Sequence, residues 1–145
     1  MWNLLKEVKG AIKRLDIRVR ILSKEEIDNI FKSIINKYSE NNIYEFALCH
    51  NLKDYKSVKD SDGWKELVKY VRDKSVILFF EWSDDKNMIL FDKGQDVIDV
   101  LSDSHRFVFY ITDLETSFML CHNDHDYLIS CGKSTNWLTS NYDLK

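Results

Sequence analysis

Ser75-Val76-Ile77-Leu78-Phe79-Phe80-Glu81-Trp82 is the stretch whose reading decides the fold. β-Branched and aromatic residues dominate it, which suits a pleated, buried strand. The next residues, Ser83-Asp84-Asp85-Lys86-Asn87, are turn chemistry, and Met88-Ile89-Leu90-Phe91 reads as the returning arm of a hairpin. The pattern repeats downstream. Residues 106–112 form a second strong strand, residues 116–122 pair with it across Asp113-Leu114-Glu115, and residues 127–131 make a last short strand before Gly132. Between the hairpins, Gly94 precedes a short helix over 95–101 with Val97, Ile98 and Leu101 inward. Trp137 and Leu138 tuck the C-terminus down.

Upstream of this block the period is helical. Leu4, Leu5, Val8, Ala11, Ile12 and Leu15 recur at helical spacing, with basic residues on the opposite face. Ser23-Lys24-Glu25-Glu26 is a capping box, in which the serine hydroxyl and the glutamate three residues on satisfy each other's orphan amides. Ile27, Ile30, Phe31, Ile34 and Ile35 then form an apolar stripe. Residues 43–49 read as a short strand and residues 51–60 as a Lys-rich exposed connection. A further helix starts at Ser61 or Asp62 and turns Trp64, Leu67, Val68 and Val71 inward. Helices come first, then a mostly antiparallel sheet interrupted by one short helix. That order predicts an α+β domain with the N-terminal helices packed on one sheet face.

The 145 residues suit a single domain spanning 1–145. With 44% hydrophobic and 31% charged residues, a folded core is expected and intrinsic disorder is not. Proline is absent and glycine occurs 4 times, which excludes collagen-like and Gly/Pro-rich classes. The longest apolar run, Val76–Phe80, is far short of the roughly 20 residues of a membrane span. No charged leader with an apolar stretch opens the chain, so a cytoplasmic protein with no membrane partner is expected. Cys49, Cys121 and Cys131 are odd in number and widely spaced, which fits reduced, buried thiols acting as small hydrophobes.

Charge is unevenly spread under the net −3. In residues 1–20, Lys6, Lys9, Lys13, Arg14, Arg18 and Arg20 outnumber Glu7 and Asp16. In residues 81–103, Glu81, Asp84, Asp85, Asp92, Asp96, Asp99 and Asp103 face only Lys86 and Lys93. Blocks of opposite sign are either the wet faces of amphipathic elements or lobes that steer a charged partner. The denser acidic block favours a basic protein as partner over nucleic acid. Among the aromatics, Trp82 and Tyr127 stand beside turns, where a ring can anchor an interface.

His122-Asn123-Asp124-His125-Asp126 is the densest polar constellation. Two histidines three apart with Cys121 and Asp126 nearby have metal-ligand chemistry, yet a strand turns Cys121 and His122 to opposite faces. Asn and Asp there also fit a plain β-turn. An oriented His general base is conceivable, but no Ser or Cys elbow and no Gly-rich phosphate loop accompanies it. The expectation is no catalytic residue, no metal and no cofactor; a metal-dependent hydrolase centred on this turn is the alternative.

The run Arg106-Phe107-Val108-Phe109-Tyr110-Ile111-Thr112-Asp113, then Phe118-Met119-Leu120-Cys121-His122-Asn123-Asp124-His125-Asp126-Tyr127-Leu128-Ile129-Ser130-Cys131-Gly132, and finally Trp137-Leu138, resembles small α+β bacterial immunity proteins. These accompany polymorphic or contact-dependent growth-inhibition toxins. The resemblance covers roughly residues 75–138. It implies a cognate toxin C-terminal domain as partner, often a nuclease with a basic cleft, bound and blocked in the cytoplasm by a monomer or weak dimer. No contact residue transfers with it. From charge and ring placement, the expected partner-binding residues are Glu81, Trp82, Asp84, Asp85, Asp92, Asp96, Asp99 and Tyr127. A regulatory interaction module using the basic N-terminal face is a further alternative.

Overall fold

In the computed structural model, residues 3–40 and 48–144 are described. The first helix, α1 (Leu4–Arg14), is capped by Asn3, whose side chain accepts from the Lys6 amide at 2.9 Å. Strand β1 (Val19–Ile21) follows, then α2 (Lys24–Tyr38). Both arms of the expected capping box are present: the Glu26 amide donates to Ser23 Oγ and the Ser23 amide to Glu26 Oε1. Residues 41–47, which carry most of the strand expected over 43–49, lie outside the described residues. Its end is a 3₁₀ turn, Leu48–His50.

The stretch 51–60, expected as an exposed connection, contains β2 (Lys56–Lys59). Its backbone pairs with β7, and its partly buried Ser57 and Val58 lie between exposed lysines. The helix expected from Ser61 is broken into two single turns, α3 (Gly63–Glu66) and α4 (Val68–Val71). Downstream come β3 (Val76–Phe80), β4 (Met88–Phe91), α5 (Gly94–Ser102), β5 (Phe109–Thr112), β6 (Phe118–His122), β7 (Tyr127–Gly132) and α6 (Thr135–Asn141). These match the hairpins and the interrupting helix read from the sequence, although β5 begins three residues later than expected.

The strands form one sheet in the order β1-β4-β3-β5-β6-β7-β2, and every neighbouring pair is antiparallel. The domain is α+β. Its layering departs from expectation, because helices cover both faces of the sheet. Val76, Leu78, Phe80, Phe109, Ile111 and Leu120 face α1, α4, α5 and α6. Ile77, Phe79, Tyr110, Met119, Cys121 and Ile129 point the other way, onto the stripe of α2. Alternation along each strand produces this division, since successive side chains leave a strand on opposite sides. Burying both faces gives β3, β5 and β6 no exposed residue at all. Each fully buried Leu, Ile or Val in these layers contributes about 1.5–3 kcal/mol. Among the described residues no helix is long and apolar enough to cross a membrane.

Candidate functional site

Strand register fixes which turns share an end of the sheet. Phe80 pairs with Phe109, Phe109 with His122, His122 with Leu128, and Tyr127 with Lys59. The β3–β4 turn (81–87), the lead-in to β5 (105–108), the β6–β7 turn (123–126) and the exit from β2 (60–62) therefore all emerge at one end. With strands about 4.8 Å apart, β3 and β6 lie about 10 Å from each other. Asp84, Asp85, Asp124, Asp126 and Asp62 are exposed or half-exposed there, alongside Lys59, Lys65, Lys86 and Arg106.

The expected acidic block does not stay together. Asp84 and Asp85 sit in the turn at this end, where Asp85 Oδ1 accepts from the amide and side chain of Asn87, both at 2.8 Å. Asp92 leaves the far end of β4, and Asp96 and Asp99 lie on α5, where Gln95 donates to Asp99 at 3.0 Å. Asp103 is bound to Arg14 at 2.9 Å, so the basic helix and the acidic segment partly neutralise one another. The segment read in sequence as one acidic lobe is spread over both ends of the sheet.

Glu81 requires a correction of another kind. It was expected on the exposed acidic surface, but β3 turns it inward onto the α2 side, where it is 8% exposed. The Tyr110 hydroxyl donates a short hydrogen bond to Glu81 Oε1, and the Leu48 amide donates to Oε2 at 3.2 Å. Cys49 completes the group: its amide donates to the Tyr110 hydroxyl at 2.9 Å and its thiol to Glu81 Oε1 at 3.7 Å. Burial and the nearby thiols and carboxyl push the Tyr110 phenol far up, so it stays protonated and remains a donor.

The two aromatic candidates differ in role. Trp82 is half-buried and stacks on Phe31 of α2, with centroids 4.1 Å apart and planes at 20°. It is a strut between helix and sheet. Tyr127 is 39% exposed at the edge of this end, with the Lys59 ammonium 5.9 Å from its ring centroid.

The polar constellation at 122–126 is a turn. Asn123 Oδ1 accepts from the amides of His125 and Tyr127, both at 3.0 Å, and Asp126 adopts a left-handed φ of 66°. Aspartate tolerates that conformation better than most residues. Arg106 reaches across to Asp126 Oδ1 at 2.6 Å and donates to the Ser61 carbonyl at 3.2 Å. His122 is buried, with Nε2 2.9 Å from the Asp60 carbonyl, which fits a neutral ring donating there. Burial lowers its pKa, against the pull of that hydrogen bond. Among the described residues no three His, Cys, Asp or Glu side chains converge in a way that could hold a metal ion.

Sequence reading did not find the cleft beside this turn. It has a volume of about 310 Å³ and is lined by Trp64, Phe107, Phe109 and His122, with Lys65 and Arg106 at its polar side. A second recess of about 270 Å³ continues past Arg106 towards Asp124 and Asp126. The walls of the first cleft come from α3, the end of α5, the β5 lead-in and the end of β6, four segments that only the fold brings together. No protein-family model, curated protein or solved structure matches the chain.

Proposed function

We propose that this chain is an immunity-type binding protein, which neutralises a cognate toxin domain by docking the sheet end that carries Asp84, Asp85 and Asp124 over a basic cleft of that domain. The observation that carries the reading is the convergence at one sheet end of exposed carboxylates from three connections, an exposed Tyr127 and an aromatic cleft. A rim of charge around apolar recesses is how protein interfaces exclude water from a few anchoring side chains. The cleft has the size to accept one such side chain from the partner, while Asp84, Asp85 and Asp124 face the partner's cations. The family resemblance of residues 75–138 supplies the kind of partner, a toxin C-terminal domain and above all a nuclease. Inhibition then follows from occlusion, with no chemistry on this chain.

Co-expression with the C-terminal domain of the adjacent large open reading frame tests the reading. Rescue of growth and a stoichiometric complex are expected. Growth arrest by an active toxin domain despite abundant, folded partner would overturn it.

A further inference from the structure

One nitrogen of His122 has no task in the docking role as described. Nε2 lies 2.9 Å from the Asp60 carbonyl oxygen, which can only accept, so Nε2 carries the proton and Nδ1 of the neutral ring is an acceptor. No group among the described residues donates to Nδ1. His122 is nonetheless 3% exposed. Among the described residues, the one side-chain nitrogen or oxygen both sealed and unpartnered is Ser39 Oγ, so Nδ1 opens onto a cavity. The ring lines two of these, the aromatic cleft and the recess past Arg106. Its opposite edge, Cδ2 and Nε2, is held on the side of Gly63 and Asp60.

The other walls narrow what can meet that acceptor. Trp64, Phe107 and Phe109 offer flat apolar surfaces, the two phenylalanines edge to face with centroids 6.4 Å apart. Lys65 and Arg106 supply cations, against one carboxylate, Asp62, which Lys65 approaches to 3.5 Å. A guanidinium has five N–H donors, and the Arg106 bonds to Asp126 and the Ser61 carbonyl both run from Nη2. Donors therefore remain on Arg106 beside the lone acceptor. A lysine or arginine entering the cleft would meet like charges. An indole N–H could donate to Nδ1 but accepts nothing from Arg106. A phenol has the flat ring that the walls suit and a hydroxyl that both donates and accepts.

We infer that the cleft is a receptor for a tyrosine side chain of the partner domain, its ring against Trp64, Phe107 and Phe109 and its hydroxyl donating to His122 Nδ1 while accepting from Arg106. The source of that ring rests on the docking reading; the chemistry of the cleft does not. Tyrosine is also among the side chains that carry most binding energy at protein interfaces. Burial, which keeps His122 neutral, preserves the acceptor.

The test uses the whole chain and p-cresol, the tyrosine side chain as a free molecule. In NMR titrations p-cresol should saturate with a Kd of about 1 mM, shifting Trp64 and the His122 ring. The Nδ1 nitrogen-15 resonance should move upfield as it takes a hydrogen bond. Toluene, which lacks the hydroxyl, and 4-methylanisole, which cannot donate, should bind about tenfold more weakly. His122→Phe keeps a ring and loses the acceptor, and should bind all three alike; if it folds poorly, the ligand series on the unaltered chain decides alone. Toluene binding as well as p-cresol, or p-cresol shifting neither Trp64 nor His122, would overturn the inference. In the complex, Tyr→Phe at one tyrosine of the toxin domain should weaken binding about tenfold. A complex indifferent to Tyr→Phe at every tyrosine would overturn the inference and leave docking intact. No complex at all, with p-cresol still in the cleft, would overturn docking and the source of the ring but not the phenol site.

Discussion

Gly94 lies so close to Val71 that a β-carbon at its position would stand 2.1 Å from the Val71 carbonyl oxygen. The Gly94 amide also donates to the Lys74 carbonyl at 2.8 Å, so the entry to α5 is clamped against the end of α4 by backbone on both sides. The atoms a β-carbon would meet are the carbonyl group and β-carbon of Val71, none of which can swing aside. Gly94→Ala is therefore expected to lower the unfolding free energy by about 3 kcal/mol, read from urea denaturation. A change under about 0.5 kcal/mol would mean that α5 does not pack this tightly.

The capping box of α2 makes a prediction about acid. Hydrogen bonding by Arg20, and then by the Ser23 amide, holds the Glu26 carboxyl down from its ordinary 4.5 to about 2. A carboxyl depressed in the folded state stabilises fully above its unfolded value and loses that contribution as pH falls through the folded one. Melting curves of wild type and Glu26→Gln should thus differ above pH 4.5 and converge towards pH 2. A constant offset across that range would count against the Arg20–Glu26 pairing. Ser23→Ala, which removes the other arm, should cost about 1 kcal/mol.

His122 should titrate below 6.5. The folded chain resists charging this ring while the unfolded chain accepts the proton, so stability falls as pH drops beneath 6.5. Nitrogen-15 NMR should show the neutral tautomer with its proton on Nε2, facing the Asp60 carbonyl. A midpoint at or above 6.5 would show that the ring is open to water.

Trp82 and Tyr127 should respond oppositely to truncation. Trp82→Ala removes the stack on Phe31 and should destabilise by about 2–3 kcal/mol, less than a fully buried ring would. Tyr127→Ala should leave stability within about 0.5 kcal/mol while weakening the proposed toxin complex at least tenfold. Calorimetry of both variants, with and without the partner, separates strut from anchor. Equal affinity for wild type and Tyr127→Ala would move the interface away from this end.

Steering makes the last prediction. Reversing Asp84, Asp85 and Asp124 to lysine should slow association about tenfold at low salt, with the deficit shrinking in 0.5 M salt as screening shortens the reach of the charges. Stopped-flow association rates check this. A deficit that persists unchanged at high salt would point to lost contacts instead.

The hairpins were legible because their turns are chemically distinct from their strands, as Ser83–Asn87 is from Val76–Phe80. The edge strands were not. Lys56-Ser57-Val58-Lys59 carries one apolar residue, and its place in the sheet comes from backbone pairing with β7, to which side-chain pattern is blind. Val19-Arg20-Ile21 is too short for any period to show. The second helical layer left a trace that could have been read: Val-Ile-Leu-Phe-Phe has no polar residue to face water, the mark of a strand covered on both sides. For the site, the acidic turns and Tyr127 were visible as residue types. That Glu81 points inward, and that Trp64, Phe107 and His122 share a cleft, depend on register and on segments far apart in sequence.

The sheet order also dictates a sequence of events during synthesis. Both edge strands and α2 come from the first 59 residues, whereas β3 to β7, the strands of the sheet they pack on, lie within Val76–Gly132. The ribosome thus delivers the covering before the thing it covers. The apolar stripe of α2 must wait in the open until the C-terminal half emerges, and a chaperone that shields residues 24–38 in that interval has the most to protect.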